Sequence, residues 1–474
     1  MSPGEARDPA RVRASYVMET ALAPEVVAAG IAGEQSSGTF IALPQEDEAL
    51  KDRAAARVEA LTELALLDGP SLPGSQGSRD GGPFRRYAMT LSWPLANFGA
   101  SLPNLVATVA GNLFELKQVA GLKLLDIELP EAFAEAYPGP AFGVEGTRRL
   151  TGVEGRPLIG TIIKPSVGLG PEETAGLVEQ LCAGGIDFIK DDELQPDGPA
   201  CPFEARVRAV MKVIDRHADR SGQRVMVAFN ITGELDEMRR RHDLVEQLGG
   251  TSIMVSLNSV GLVGFTALRR TTRLAIHAHR NGWGYLGRSA SNGWSYVAWQ
   301  KLWRLAGADH MHVNRIANKF WEPDDSVIAS ARACLTPMFE SKPCVVMPVF
   351  SSAQSAKQAA PTWAALASPD LIFCAGGGIA AHPGGVAVGV VALRQAWQAA
   401  MSGVPVAQDS PLILFSSVES DKARQVREAI DDFGISNTTK SELRRSDQNQ
   451  HETRTSARLS EFAEPSTAEN RMNG

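Results

Sequence analysis

From residue 158 onward the apolar positions fall into a regular march. Strand-like apolar runs occupy 158–164, 187–193, 225–231, 252–257, 273–279, 310–314, 345–350 and 371–374. Segments with helical period stand between them, as at 172–182, 203–218, 296–306 and 385–400. Eight strand–helix units at roughly 30-residue spacing suit a (β/α)8 barrel of about 250 residues. A doubly wound open sheet is the alternative, but no switch point is evident and the count favours the barrel.

The chain before this march reads differently. Strands are expected at 11–19, 39–43, 87–93 and 122–127, and helices at 24–31 and 102–116. A helix-rich acidic segment follows the second strand, and 70–83, dense in Gly, Pro and Ser, marks a loop. Interleaved in this way, the elements predict an α+β (ferredoxin-like) domain over 1–137. The repeated Gly and Pro of 138–155 form a junction into a TIM-type barrel domain over 138–407. In the tail, 408–474, an amphipathic helix is expected at 418–433. The stretch 436–474 is rich in Ser, Thr, Asn, Arg and Glu and is expected to be disordered.

Composition narrows the class. At 474 residues more than one domain is expected, and a net charge of −7 gives no nucleic-acid footprint. No apolar run approaches the ~18 residues of a membrane helix, and the charged N-terminus lacks a signal-peptide core. Five scattered cysteines without CxxC spacing read as free thiols of a cytoplasmic protein.

In a barrel, chemistry gathers where strands end at the carboxyl face, and the rarest side chains fall there. Lys164 follows the first strand. Lys190, Asp191, Asp192 and Glu193 stand together on the second, with Lys190 and Asp192 sharing one strand face and Asp191 taking the other. Asn230 ends the third strand. His277, His279 and Arg280 close the fifth, His310 and His312 lie on the sixth, and Ser351 and Ser352 follow the seventh. Gly376-Gly377-Gly378 after the eighth suits backbone N–H groups that cradle a phosphate. Each signal alone has a bland reading, as a turn, a core histidine or a salt-bridged cluster. Their coincidence at one rim points to an active site.

Residue types set the chemistry. Asp192 and Glu193 offer two hard oxygen ligands for a cation such as Mg²⁺. Lys190 as an ammonium cannot ligate, but a carbamate formed with CO₂ would be a third carboxylate-like ligand. A metal so held polarises a ketone and stabilises an enediolate. Lys164 then stands as candidate base or acid, and Arg280 and His312 as a clamp for an anionic group.

Gly160-Thr161-Ile162-Ile163-Lys164-Pro165 with 185–193 resembles the first two barrel strands of the ribulose-bisphosphate carboxylase (RuBisCO) large subunit. Glu34 to Thr39, Gly111-Asn112, His277-Ala278-His279-Arg280, 309–312 and Gly376-Gly377-Gly378 with His382-Pro383 agree in the same order. The resemblance implies a carbamylated Lys190 that with Asp192 and Glu193 holds one Mg²⁺ per site, and Lys164 as enolising base. It implies roles for His279 and Lys319 in the chemistry and for Arg280, His312, Ser351, Gly376 and Gly377 in binding. It also implies a homodimer in which Glu34, Thr39 and Asn112 complete the partner's site.

The chain departs from the carboxylases at several points. Ser166 stands two residues after the base, where they repeat a lysine. Asn314-Arg315-Ile316-Ala317-Asn318-Lys319 lacks their lid's glycine hinges, Ser352-Ala353 replaces Gly-Gly, and Phe40 replaces a Trp. The chain is therefore similar to the RuBisCO-like proteins. Asn281-Gly282-Trp283-Gly284, Trp299-Gln300-Lys301-Leu302-Trp303 and Asn318-Lys319-Phe320 resemble the non-photosynthetic branch. That branch implies action on a phosphorylated β-keto sugar acid, as in D-apiose breakdown, with Lys319 near the carboxylate and no CO₂ fixation. The alternatives are an enolase or isomerase of methylthio-pentulose phosphates and a non-catalytic binding protein.

Overall fold

The structure, a computed structural model, describes residues 10–38 and 43–403. The N-terminal sheet is built from β1 (Arg11–Thr20), β2 (Arg57–Leu67), β3 (Phe84–Pro94) and β4 (Gly121–Glu128) in the spatial order β4-β1-β3-β2. All three pairings are antiparallel. On β1 the residues Val12, Ala14, Tyr16 and Met18 turn inward at period two, the spacing a half-covered strand needs. They share one apolar core with residues of the helices Pro24–Glu34 and Leu102–Ala110, and Tyr16 donates its buried hydroxyl to the Val109 carbonyl at 2.7 Å.

The barrel strands are β5 (Leu158–Ile162), β6 (Phe188–Lys190), β7 (Met226–Asn230), β8 (Ser252–Ser256) and β9 (Ala275–His279). The short strand β10 (Asn292–Trp294) leaves the barrel and joins β4 in parallel. Then come β11 (His310–Val313), β12 (Met347–Phe350) and β13 (Ile372–Cys374). β5 to β9 and β11 to β13 close into one parallel barrel, each of the eight inside a predicted run. Inside it pack Leu158, Phe188, Met226, Met254, Met347 and Ile372, so the lumen is a core and not a pore.

Three local expectations need correction. The segment before residue 68 is a short helix, Glu48–Ala54, followed by β2, not a helix-rich stretch. β2 carries Ala, Leu and Glu, good helix formers, and is exposed on both faces for most of its length, so no period-two pattern marks it. The helix expected over 102–116 ends at Ala110. There the backbone of Gly111 leaves the helical region (φ −74°, ψ −127°), a conformation in which a side chain would meet the Ala107 carbonyl oxygen at 2.4 Å. The junction 138–155 contains the helix Gly143–Thr151, whose Val144 and Leu150 pack against the lumen core. The strand expected at 39–43 and the elements expected in the tail fall outside the described residues, apart from Leu43, which is in no strand.

Asp309, just before β11, fastens this helix to the barrel. Fully buried, it accepts from the N–H groups of Phe142 (2.6 Å), Gly143 (3.0 Å) and Ile276 (2.8 Å) and from Arg269 Nη1 (3.0 Å). Asp309→Ala strands the buried guanidinium of Arg269 and three N–H groups. The expected loss is about 3–5 kcal/mol, read as a lower urea midpoint, with little change in any site residue. A midpoint equal to the parent's would refute the structural role.

Candidate active site

Lys190 ends β6, in register with Ile162 of β5 and Ala228 of β7, so its stem lies inside the barrel. Alternation then divides the cluster as the strand geometry predicts. Asp191 points away, accepting from Arg206 Nη2 (3.1 Å) and the Asn230 N–H (2.9 Å), and is a structural ion pair. Lys190, Asp192 and Glu193 turn into a cavity of about 860 Å³. The cluster is thus divided between a buried ion pair at Asp191 and cavity-facing charges that are also paired, Lys190 with Glu193 and Asp192 with Lys164. Asn230 does not line the cavity. Its Nδ2 lies 3.2 Å from the Asp192 carbonyl and 3.3 Å from that of Glu193, and so steadies the backbone of both.

Lys190 is 1% exposed, and its Nζ donates to the Asp191 carbonyl at 2.9 Å and to Glu193 Oε2 at 3.5 Å. Lys164 reaches across from the end of β5 and donates to Asp192 Oδ2 (2.6 Å) and Ser166 Oγ (2.7 Å). The serine that replaces a second lysine is therefore a neutral acceptor for the first. His279 Nε2 lies 3.4 Å from Glu193 Oε2, and the His279 and His312 rings are 4.6 Å apart.

Burial raises the pKa of the Glu193 carboxyl, but the neighbouring His279 and Lys190 outweigh it and hold it near about 2. Burial, then the Lys190 charge, lower His279 to about 4, and burial drives His312 well below its ordinary value. The imidazoles at this rim are therefore neutral at pH 7.

Deeper in the lumen His310 shares a hydrogen bond with Thr147 Oγ1 (2.8 Å), and burial lowers it to about 3. An imidazole titrates at about 6.5 in an unfolded chain. Between that value and about 3 the unfolded state binds more protons, so acidification destabilises the fold by about 1.4 kcal/mol per pH unit for this group. His310→Gln is expected to lose less of its melting temperature than the parent between pH 7 and pH 4.5. Parallel melting curves would contradict this.

Arg280 and His312 form a second pole. Arg280 is 7% exposed and donates from Nη2 to Glu322 Oε2 at 3.0 Å, while its Nη1 is buried with no partner among the described residues. His312 Nδ1 lies 3.3 Å from Ser351 Oγ, and its Nε2 is likewise buried without a partner among the described residues. Both are buried polar atoms beside a cavity, where a ligand or an ordered water can satisfy them. Gly376 and Gly377 line the same cavity. A side chain at Gly377 would meet nothing within 4 Å, leaving room for a ligand to approach, whereas one at Gly378 would strike the Gln354 carbonyl oxygen at 2.2 Å.

Lys319 lines the cavity mouth with Phe320 and Trp321, its Nζ 5.1 Å from the Phe320 ring centre. The segment carrying it lacks glycine but not glycine-like backbone. Ala317 (φ 53°), Ser352 (φ 80°) and Ala353 (φ 60°) all stand in the left-handed region. Such conformations cost of order 1–3 kcal/mol each and persist where surrounding bonds impose them. Here Arg315 Nη1 donates to the Ala353 carbonyl, the Ala317 N–H to Asp324 Oδ1 (2.7 Å), and Ser352 Oγ to Asn314 Oδ1 (3.0 Å).

The structure thus gathers Lys164, Lys190, Asp192, Glu193, His279, Arg280, His312, Lys319, Ser351, Gly376 and Gly377 around one cavity. Glu34 and Asn112 are not among its lining residues. With its amide turned over, Gln35, next to Glu34 in sequence, donates to the Ala107 carbonyl (2.8 Å) and accepts from the Asn112 N–H (3.2 Å). Thr39 and Phe40 lie outside the described residues. Sequence reasoning passed over Tyr285, Arg288 and Trp321, which also line the cavity, and the buried Glu322. Only the spacing of Trp283 and Tyr285 from Arg280 offered a hint.

Comparison with known proteins identifies the family by sequence and by fold. Residues 10–133 match the family model for the ribulose bisphosphate carboxylase large chain, N-terminal domain, and residues 143–433 match that for its catalytic domain. The chain is 60% identical over 400 residues to a 3-oxo-isoapionate-4-phosphate transcarboxylase/hydrolase of Xanthobacter autotrophicus, covering 84% of this chain and 96% of that one. It is 43% identical over 402 residues to a 3-oxo-isoapionate-4-phosphate decarboxylase of Rhizobium etli, covering 84% and 95%. The crystal structure of a rubisco-like protein from Burkholderia fungorum superposes with a TM-score of 0.80 at 47% identity, over 86% of this chain and 99% of the other. With both family models matched, the chain belongs to the ribulose bisphosphate carboxylase large-chain family, in its non-photosynthetic RuBisCO-like branch.

Proposed function

We propose that the protein acts on 3-oxo-isoapionate 4-phosphate, a phosphorylated β-keto sugar acid, as a transcarboxylase/hydrolase. The carrying observation is the site's division into a Lys164–Lys190–Asp192–Glu193 centre and a separate pole at the Arg280 guanidinium and the neutral His312 imidazole, in a chain 60% identical to an enzyme so named. Simple decarboxylation is the second reading, favoured by the relatives of that name at 43% and 44% identity.

Membership of this family generally implies Mg²⁺ and a carbamylated lysine. The donor set here fits on one condition. Among the described residues no group of three or more His, Cys, Asp or Glu is arranged to hold a metal. Asp192 and Glu193 supply two oxygen donors, and Lys190, 3.5 Å from Glu193, supplies the third only as a carbamate, formed from its neutral amine and CO₂ with loss of one proton. When bound, the cation supplies Lewis-acid polarisation of the substrate's keto group.

The chain's own residues account for the rest. Lys164 Nζ, fixed between Ser166 Oγ and Asp192 Oδ2, gives or takes a proton beside the keto carbon. Arg280 Nη1 and His312 Nε2 take the phosphate, supported by Ser351, and Gly376 and Gly377 admit a further anionic oxygen. Lys319 meets the carboxylate, and His279 orients Glu193. Glu34, Asn112 and Thr39 serve the site of a second copy, which makes the working unit a homodimer. The five free, buried cysteines suit a reducing cytoplasm.

A panel of phosphorylated sugar acids and methylthio-pentulose phosphates, with Mg²⁺ and bicarbonate and followed by proton NMR, tests the substrate. Only the β-keto acids are expected to be consumed. Lys319→Ala is expected to reduce kcat/KM for them by about 10²-fold, a loss of ~3 kcal/mol from one charge-assisted contact. Unchanged turnover in that variant, or preference for the pentulose phosphates, would favour an enolase instead.

A further inference from the structure

Glu322 does not line the cavity, yet it is 4% exposed and its carboxylate accepts three hydrogen bonds. Its Oε2 accepts from Arg280 Nη2 (3.0 Å) and Asn314 Nδ2 (2.6 Å), and its Oε1 accepts from Ser326 Oγ (3.0 Å). Its backbone carbonyl accepts from Asn318 Nδ2 at 2.7 Å. On its other side the Arg280 guanidinium lies 5.0 Å from the Tyr296 ring centre, and Tyr296 donates its hydroxyl to the His312 carbonyl at 2.6 Å. Glu322 thus fixes one arm of the planar fork and Tyr296 one face, while Nη1 keeps no partner among the described residues.

We infer that Glu322 is a positioning residue, which holds the Arg280 guanidinium in the orientation that takes the substrate's phosphate. The inference rests on the proposed assignment of Arg280 to the phosphate. The rival role for a buried carboxylate here is charge neutralisation, and the two roles make opposite demands on the side chain. Positioning needs the length of glutamate and an oxygen at Oε2, which glutamine also provides, with its amide NH₂ facing the Ser326 hydroxyl. Neutralisation needs the charge, which aspartate also provides, one methylene too short to reach Arg280.

The test measures the Kd of inorganic phosphate by isothermal titration calorimetry on the full chain, for the parent, E322Q, E322D, E322A and R280A, with circular dichroism as a check of folding. E322Q is expected to stay within about threefold of the parent, and E322D and E322A to bind about tenfold or more weakly. If E322A fails to fold, the comparison of E322Q with E322D carries the test. Weak binding by E322Q with parent-like binding by E322D would overturn positioning in favour of charge. Parent-like binding by every Glu322 variant, with R280A impaired, overturns the inference and leaves the assignment of Arg280 standing. Parent-like binding by R280A overturns that assignment and the inference together.

Discussion

Asp192→Asn is expected to abolish turnover, by about a thousandfold or more (~4 kcal/mol of transition-state stabilisation), while the fold remains intact. Asp192 is 2% exposed, and its two oxygens have different work. Oδ1 accepts from the Leu194 N–H at 3.1 Å, a bond that an amide oxygen can keep, so the turn survives the substitution. Oδ2 faces Lys164 at 2.6 Å and is the oxygen available to a cation. Asparagine removes the charge from both partners at once. Steady-state kinetics with a melting curve checks this: activity lost with the melting temperature retained is the expected pair. Activity within tenfold of the parent would show that Asp192 is merely the counter-ion of Lys164.

Lys164→Met is expected to lower kcat by about 10²–10⁴-fold, the range of a positioned proton donor or acceptor, with KM changed little. Its side chain is 37% exposed, so the fold does not depend on its burial, and methionine keeps the length of the stem. Arginine at this position is expected not to rescue, because a guanidinium stays protonated. Exchange of substrate carbon-bound hydrogen with solvent deuterium should be lost along with turnover. Retained exchange without turnover would move the proton-transfer role away from Lys164.

Much of this site was legible in the sequence, for a reason specific to the fold. Strands of a parallel barrel are covered on both faces, so their apolar runs are continuous, and a charged residue at one end stands out. Lys190, His279 and His312 were visible in that way. β2 was not, because an exposed edge strand of Ala, Leu and Glu carries no period-two signature. Glu322 was invisible for another reason. Its meaning comes from Arg280, 42 positions away in sequence, and from Asn314, and no local pattern marks a glutamate for burial. The missing glycines at Ala317, Ser352 and Ala353 were plain to read, but not that the left-handed backbone survives them, because the bonds that impose it come from Arg315, Asp324 and Asn314.

The most direct measurement follows 3-oxo-isoapionate 4-phosphate by phosphorus NMR with the full chain, Mg²⁺ and bicarbonate, before and after chelation with EDTA. The predicted result is complete consumption, arrest on chelation and recovery when Mg²⁺ is restored. An unconsumed substrate, or consumption at an undiminished rate after chelation, would contradict a magnesium-dependent enzyme built on Lys190, Asp192 and Glu193.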